Sequence, residues 1–145
     1  LGNLAETRFD YSGGRFDPST RSFNGFSYVK KINPDNSILE SWYHQDQYRK
    51  GKPYLLKLTE PDQGSLLSQT SLTWDGDVLN PAQNDCEFVK LAQKETEFYD
   101  DQVITTSEAY TYDSDLETDP QKIAGNLRIK EVSVTDTKTI KSVFE

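Results

Sequence analysis

The feature that most constrains this chain is the rhythm of its strand-forming residues. Tyr, Thr, Val, Ile and Phe gather in short runs, and turn residues separate the runs. The clearest run is 22–32, with Phe26, Tyr28 and Ile32 on one face and Phe23 and Val29 on the other. Asn33-Pro34-Asp35-Asn36 then supplies a turn, because Pro suits its second position and Asp and Asn tolerate the tight backbone after it. A strand over 37–44 completes a long β-hairpin. The same logic predicts strands over 54–59, 65–74, 103–112, 127–134 and 139–144. Glu60-Pro61-Asp62-Gln63-Gly64, Asp75-Gly76, Asp100-Asp101-Gln102 and 135–138 read as turns, and so does Gly13-Gly14, as a pair that needs positive φ. The stretch 86–99 is open to two readings. Phe88, Leu91, Ala92 and Glu95 have helical spacing, whereas Thr96, Phe98 and Tyr99 favour a strand, which is the preferred reading. About ten strands in hairpin succession make an all-β, antiparallel meander.

Both faces of these strands carry apolar groups, but thinly. A sandwich would alternate more cleanly, so the expectation is one long, twisted, single-layer sheet. Composition agrees. Hydrophobic residues are 34% of 145, below the ~45–50% of ordinary domains on a broader count that includes Gly. Aromatics reach 12%, which argues against wholesale disorder. A net charge of −8 argues against docking on nucleic-acid phosphates or anionic lipid. No apolar run is long enough for a transmembrane helix, so membrane insertion is not expected. One Cys excludes an internal disulfide and a Cys-based metal site. The chain opens at Leu1 and holds no Met, so 1–145 reads as a single β-rich segment of a longer polypeptide.

One small unit recurs. An aromatic precedes Asp at Phe9-Asp10, Phe16-Asp17, Trp74-Asp75, Tyr99-Asp100 and Tyr112-Asp113. The expected logic is a ring packed on the neighbouring strand and a carboxylate capping turn N–H groups. These units resemble the Tyr-Asp repeats of Rhs/YD-repeat proteins. The stretch from Phe9 through Gly13, Gly14, Phe16 and Asp17, then Arg21-Ser22-Phe23-Asn24-Gly25-Phe26 and Val29, is similar to a longer family pattern. That pattern is Tyr-x-x-Gly-x-Tyr-Asp, Arg-x-Phe-x-Gly-Phe, Val. It belongs to the region after the propeller in the B component of bacterial insecticidal toxin complexes and in related proteins with an SpvB-like start. Tyr43-His44-Gln45 and Gly51-Lys52-Pro53 continue the likeness, and Trp74, Phe88-Val89-Lys90-Leu91, Tyr110-Thr111-Tyr112-Asp113 and Gly125-Asn126-Leu127 extend it in order. Phe replaces Tyr at Phe9 and Phe16, Asn24 stands where the family has a basic residue, and Ser27 stands where it has Gly.

The resemblance implies a non-catalytic shell segment. In that family the strands wind into a hollow β-shell around a toxic C-terminal segment, and a self-cleaving core lies near the far C-terminal end. Nothing in this chain matches the aspartyl residues of that core, so no catalytic residue carries over. The implied partners are the remaining shell strands and the encapsulated toxin segment, and the implied location is secreted or cell-surface. The exposed sheet edges, 5–11 and 139–144, are expected to seek further strands, from the same polypeptide or another copy; Lys138 and Lys141 would discourage random pairing at the last of these.

The remaining chemical candidates are few. His44 is the only His, and Asp46 stands close enough in sequence to orient it as a base. Cys86 sits between Asp85 and Glu87, which raise a thiol pKa and work against a Cys–His dyad. The acidic stretch Asp113-Ser114-Asp115 with Glu117 and Asp119 suggests Ca²⁺ by ligand type, but without EF-hand spacing it reads as a solvated loop. Gly13-Gly14 lacks the Lys-Ser/Thr of a phosphate cradle. No metal or cofactor is therefore expected. Trp42, Trp74 and the tyrosines would suit a sugar-stacking platform, which makes a glycan- or protein-binding module the second reading.

Overall fold

The computed structural model describes residues 5–78, 87–116, 125–136 and 139–140. These residues form one antiparallel sheet of nine strands whose spatial order equals their chain order. The strands are β1 (Arg8–Asp17), β2 (Ser22–Ile32), β3 (Ile38–Tyr43), β4 (Pro53–Thr59), β5 (Leu66–Val78), β6 (Glu87–Tyr99), β7 (Val103–Tyr112), β8 (Leu127–Asp136) and β9 (Thr139–Ile140). The one α-helical piece among the described residues is a single turn, α1 (Asp113–Leu116). The all-β meander read from the sequence is therefore the observed fold. The ambiguous stretch after Cys86 is strand β6, paired on both sides over Gln93–Phe98.

The hairpin turns follow local chemistry. In the β2–β3 turn, the Asn36 N–H donates to the Asn33 carbonyl at 2.9 Å, and Asn36 takes φ +64°. Asp35 accepts from the Ser37 N–H at 3.0 Å and from its hydroxyl at 2.7 Å. Those donors hold the Asp35 carboxyl below its usual range. In the β4–β5 turn the Gly64 N–H reaches the Pro61 carbonyl at 3.2 Å, with Asp62 at φ +59°.

Little is buried. Among the described residues Ile38, 6% exposed, is the one buried hydrophobic side chain. The accessible surface is 10361 Å². A compact 16.6 kDa monomer would expose about 7600 Å². Among the described residues the sheet has no second layer to hide its faces, as the thin decoration of both faces anticipates.

Several local expectations are corrected. Gly13-Gly14 is not a reversal; both lie inside β1, and the ladder runs past them through Ser12↔Tyr28 and Gly14↔Phe26. Gly13 does take positive φ, +65°, and its role is close approach: a Cβ there would lie 1.9 Å from Ser27 Oγ. The first strand begins at Arg8 rather than residue 5. Asp75-Gly76 does not close β5, because Lys90 and Val89 of β6 pair with it and extend the strand to Val78. Asp10 and Asp75 are thus mid-strand and cap no turn. Phe23 and Phe26 do not lie on opposite faces; their rings meet edge to face at 5.4 Å. Between the pairs Gly14↔Phe26 and Phe16↔Phe23, β2 has one residue more than β1. Gly25, at φ +83°, falls in that interval, and the extra residue resets the alternation. Cys86, Glu117, Asp119, Lys138 and the end of the last expected strand lie outside the described residues.

Candidate functional site

The N-terminal motif residues lie along the β1–β2 hairpin. The β2–β3 ladder ends at Tyr28↔Trp42, so β2 from Ser22 to Ser27 and its β1 partners overhang the sheet. The loop after β3 fills the place that a longer β3 would occupy. From it Gln45 Nε2 donates to the Gly13 carbonyl at 2.6 Å and to the Gly25 carbonyl at 2.8 Å. Asn24 Nδ2 donates to the Gln45 carbonyl at 3.2 Å, and Asn24 is 7% exposed. One amide therefore latches Gly13 and Gly25, both left-handed. At the tip, Asp17 accepts from the Ser19 N–H at 2.9 Å and its hydroxyl at 2.6 Å, which lowers the Asp17 pKa. Arg21 occupies the turn with φ +50°.

The same loop explains Tyr43 to Pro53. Tyr43 pairs with Pro53 across β3–β4. The His44 N–H donates to the Lys52 carbonyl at 3.0 Å, and the Gly51 N–H donates to the His44 carbonyl at 3.1 Å. Gly51 takes φ +78° to allow this closure. Trp74 Nε1 donates to the Pro53 carbonyl at 2.6 Å, and Lys52 Nζ lies 4.9 Å from the Trp74 ring centre. Trp42 packs on Tyr28 at 5.3 Å and faces Lys57. Both tryptophans thus make contacts within the sheet.

His44 makes no hydrogen bond to Asp46. Its Nδ1 is 3.8 Å from Asp46 Oδ2, and its ring lies 5.0 Å from the Tyr54 ring. Burial, with the nearby Arg49 cation, pulls its pKa down against the pull of Asp46. Asp46 is engaged elsewhere: it accepts from the Tyr48 and Arg49 N–H groups and pairs with Arg49 Nε at 3.1 Å. Burial opposes ionisation of Asp46, yet those donors and the Arg49 charge hold its pKa below the usual value.

Asp113 and Asp115 of the acidic stretch are also committed internally. Asp113, 3% exposed, accepts from the Asn126 N–H at 3.1 Å and from Asn126 Nδ2 at 3.2 Å. Asp115 pairs with Lys90, itself 4% exposed, and accepts from the Tyr112 N–H at 2.9 Å. Lys90 Nζ stands 5.8 Å from the Tyr112 ring centre. Gly125, at φ +73°, leads into β8. Tyr99 donates to Glu97 at 2.6 Å, which raises its pKa, and Asp100 sits in the β6–β7 turn. No group of three or more metal-ligating side chains occurs among the described residues.

Sequence reasoning missed two arrangements. The first is the Gln45 latch. The second centres on Glu108, which accepts from Lys130 at 2.6 Å, from the Tyr110 hydroxyl at 2.7 Å and from Lys94 at 3.1 Å. These donors push the Glu108 pKa down to about 2. The Lys94–Glu108 opposition is a cross-strand pair, so a β6–β7 register was the signal that would have found it. The β1–β2 hairpin carries a further feature, an aromatic row linked from Phe9 to Tyr11 to Phe26 to Phe23 at 6.2, 5.0 and 5.4 Å. Phe16, paired across from Phe23, is 60% exposed.

Residues 1–64 match the family model described as insecticide toxin TcdB middle/N-terminal region. No curated protein matches the sequence. Among solved structures, a chain of the crystal structure of TcdB2-TccC3-Cdc42 matches with a TM-score of 0.59 at 12% identity. The match covers 71% of this chain and 8% of that one. The resemblance to the B component of insecticidal toxin complexes, drawn from the motifs, is thus met by a family match over the N-terminal residues and by a shared fold.

Proposed function

We propose that this chain is a non-catalytic wall segment of a toxin shell that encloses a toxic polypeptide. The observation that carries the reading is the sheet itself: nine strands in chain order, one buried hydrophobic side chain among the described residues, and both faces open. Such a sheet separates two spaces and is poorly suited to fold around a reaction centre. The chemical candidates support this, since Asp46, Asp113 and Asp115 are each engaged in local structure. The whole of 1–145 acts as one segment, and its partners are further strands of the same longer polypeptide together with the enclosed toxin segment. The free edge of β1 is one site for such a strand, because its unpaired backbone groups template pairing. A second copy is the lesser occupant, given a net charge of −8 on each. The parent is secreted or displayed at the cell surface, in keeping with insecticidal toxin complexes. Among the described residues no helix is long and apolar enough to cross a membrane.

Limited proteolysis of the full-length polypeptide tests the reading. The enclosed segment is expected to resist protease, and Ile38→Asp in the wall is expected to expose it. Rapid digestion of that segment in the unaltered protein would overturn the proposal. A glycan array with the same protein separates the alternative, since reproducible sugar binding abolished by Trp42→Ala would favour a recognition module.

A further inference from the structure

Asn24-Gly25 is the one Asn-Gly pair in the sequence. Asn is a thermolabile residue, and a following glycine makes it most so, because no Cβ obstructs approach of the glycine nitrogen. In an open chain the Gly25 nitrogen attacks Asn24 Cγ. A C–N bond forms, the Cγ–Nδ2 bond breaks, and Nδ2 leaves as ammonia with the Gly25 amide proton. Water then opens the resulting imide to aspartate or to isoaspartate, which carries one more carbon in its main chain.

The fold opposes each part of this step. The Asn24 side chain is tied at both ends: Nδ2 donates to the Gln45 carbonyl at 3.2 Å, and Oδ1 accepts from the Ser22 hydroxyl at 3.2 Å. Cyclisation requires both bonds to break and the side chain to turn toward Gly25. Asn24 is 7% exposed, so departing ammonia and entering water have no open path. Gln45 restrains both reacting residues, since its side-chain amide also holds the Gly25 carbonyl at 2.8 Å. The position is nonetheless a weak place in the sheet. The β2–β3 ladder gives β2 no partner before Tyr28, and Gly25 lies in the bulge at φ +83°. This hairpin can open without unfolding of the rest of the wall.

We propose that Asn24-Gly25 is a latent deamidation site gated by the Gln45 latch. While the β3–β4 loop sits on the hairpin, the amide is preserved. Once the hairpin opens and the imide forms, the change is one-way, because the product carboxylate has no proton to donate to the Gln45 carbonyl. An isoaspartate also adds a main-chain atom to β2 beside its bulge. Deamidation thereby converts a transient opening of the hairpin into a lasting one.

Peptide mapping of the full-length polypeptide, incubated at neutral pH, tests the gate. Asn24 is expected to deamidate slowly in the folded protein and fast in guanidinium. Gln45→Ala should accelerate it by about 5–30-fold, the factor by which loss of its two hydrogen bonds raises the open population. Asn36, which precedes Ser37 in the β2–β3 turn, should keep its own rate. Acceleration at Asn36 as well would mean that the variant has unfolded; Ser22→Ala, which removes one tether, then carries the test with an expected rise of about two- to tenfold. Equal rates at Asn24 in folded and denatured protein overturn the proposal. So does an unchanged Asn24 rate in Gln45→Ala, or in Ser22→Ala where that variant carries the test. Asn24→Asp reproduces one product, and amides of 13–27 should exchange about two- to tenfold faster in it. Unchanged exchange there would overturn the lasting effect on the hairpin. None of these outcomes bears on the shell reading.

Discussion

Gln45 reaches across from the β3–β4 loop to hold both left-handed glycines of the overhanging hairpin, and its replacement by alanine isolates that function. The side chain makes two hydrogen bonds, one exposed and one partly buried. A net bond contributes about 0.5–1.5 kcal/mol, so the pair stabilises the closed hairpin by about 1–2 kcal/mol after discounting the exposed one. That is a factor of about 5–30 in the open population. Hydrogen exchange read by mass spectrometry in the full-length protein should show amides of residues 13–27 exchanging faster by that factor in Gln45→Ala. Amides of β5 to β7 should keep their rates, because the Gln45 side chain bonds none of those strands. Gln45→Glu supplies the sharper control. It keeps the length but replaces a donor by a carboxylate facing two carbonyl oxygens, so exchange should exceed that of the alanine variant at neutral pH. Unchanged exchange over 13–27 in both variants would refute the latch. Uniform acceleration of every strand would show that the residue supports the whole sheet instead.

Three further outcomes are expected. Glu108, whose pKa falls from 4.5 to about 2, gives stability that is full above 4.5 and is lost as pH falls toward 2. Glu108→Gln should abolish that part of the acid limb in denaturant midpoints measured against pH, and an unaltered limb would contradict the Lys94–Glu108–Lys130 cluster. Gly13→Ala should destabilise the hairpin by about 1–2 kcal/mol from φ alone and by more from the Ser27 clash, and adding Ser27→Gly should recover only the clash component in a thermal melt. Substituting His44→Gln, Asp46→Asn and Cys86→Ser together should leave any activity of the parent protein intact, and its loss with fold and cargo retention preserved would restore an enzymatic reading.

What was legible in the sequence was local. Pro34-Asp35 and Pro61 to Gly64 mark true reversals because their turn chemistry is complete within four or five residues. The β6 assignment rested on Thr96, Phe98 and Tyr99, and the strand accommodates them as expected. What failed was non-local. Gly13-Gly14 and Asp75-Gly76 carry turn signals, yet neighbouring strands extend ladders through both, and hydrogen-bonding partners outweigh local preference. The bulge around Gly25 could not be counted from one strand, since a bulge is defined by its partner. The aromatic-Asp unit divides along the same line: Asp17 accepts from Ser19 two residues on, Asp113 accepts from Asn126 thirteen residues on, and Asp10 and Asp75 sit within strands. Gln45 was visible only as one letter of a motif, because its two acceptors lie 32 and 20 residues away.

The strict agreement between spatial and chain order has a consequence for how such a wall is made. Each strand docks on the one synthesised just before it, so no strand waits for a distant partner. Loop closure stays short at every step, which favours rapid growth. On a ribosome the sheet can lengthen from its N-terminal end as residues emerge, with its newest edge always the template for the next strand. A sandwich must find its second layer before it gains most of its stability. This chain gains stability in successive increments, and a wall of any length can be written by repeating the same hairpin step.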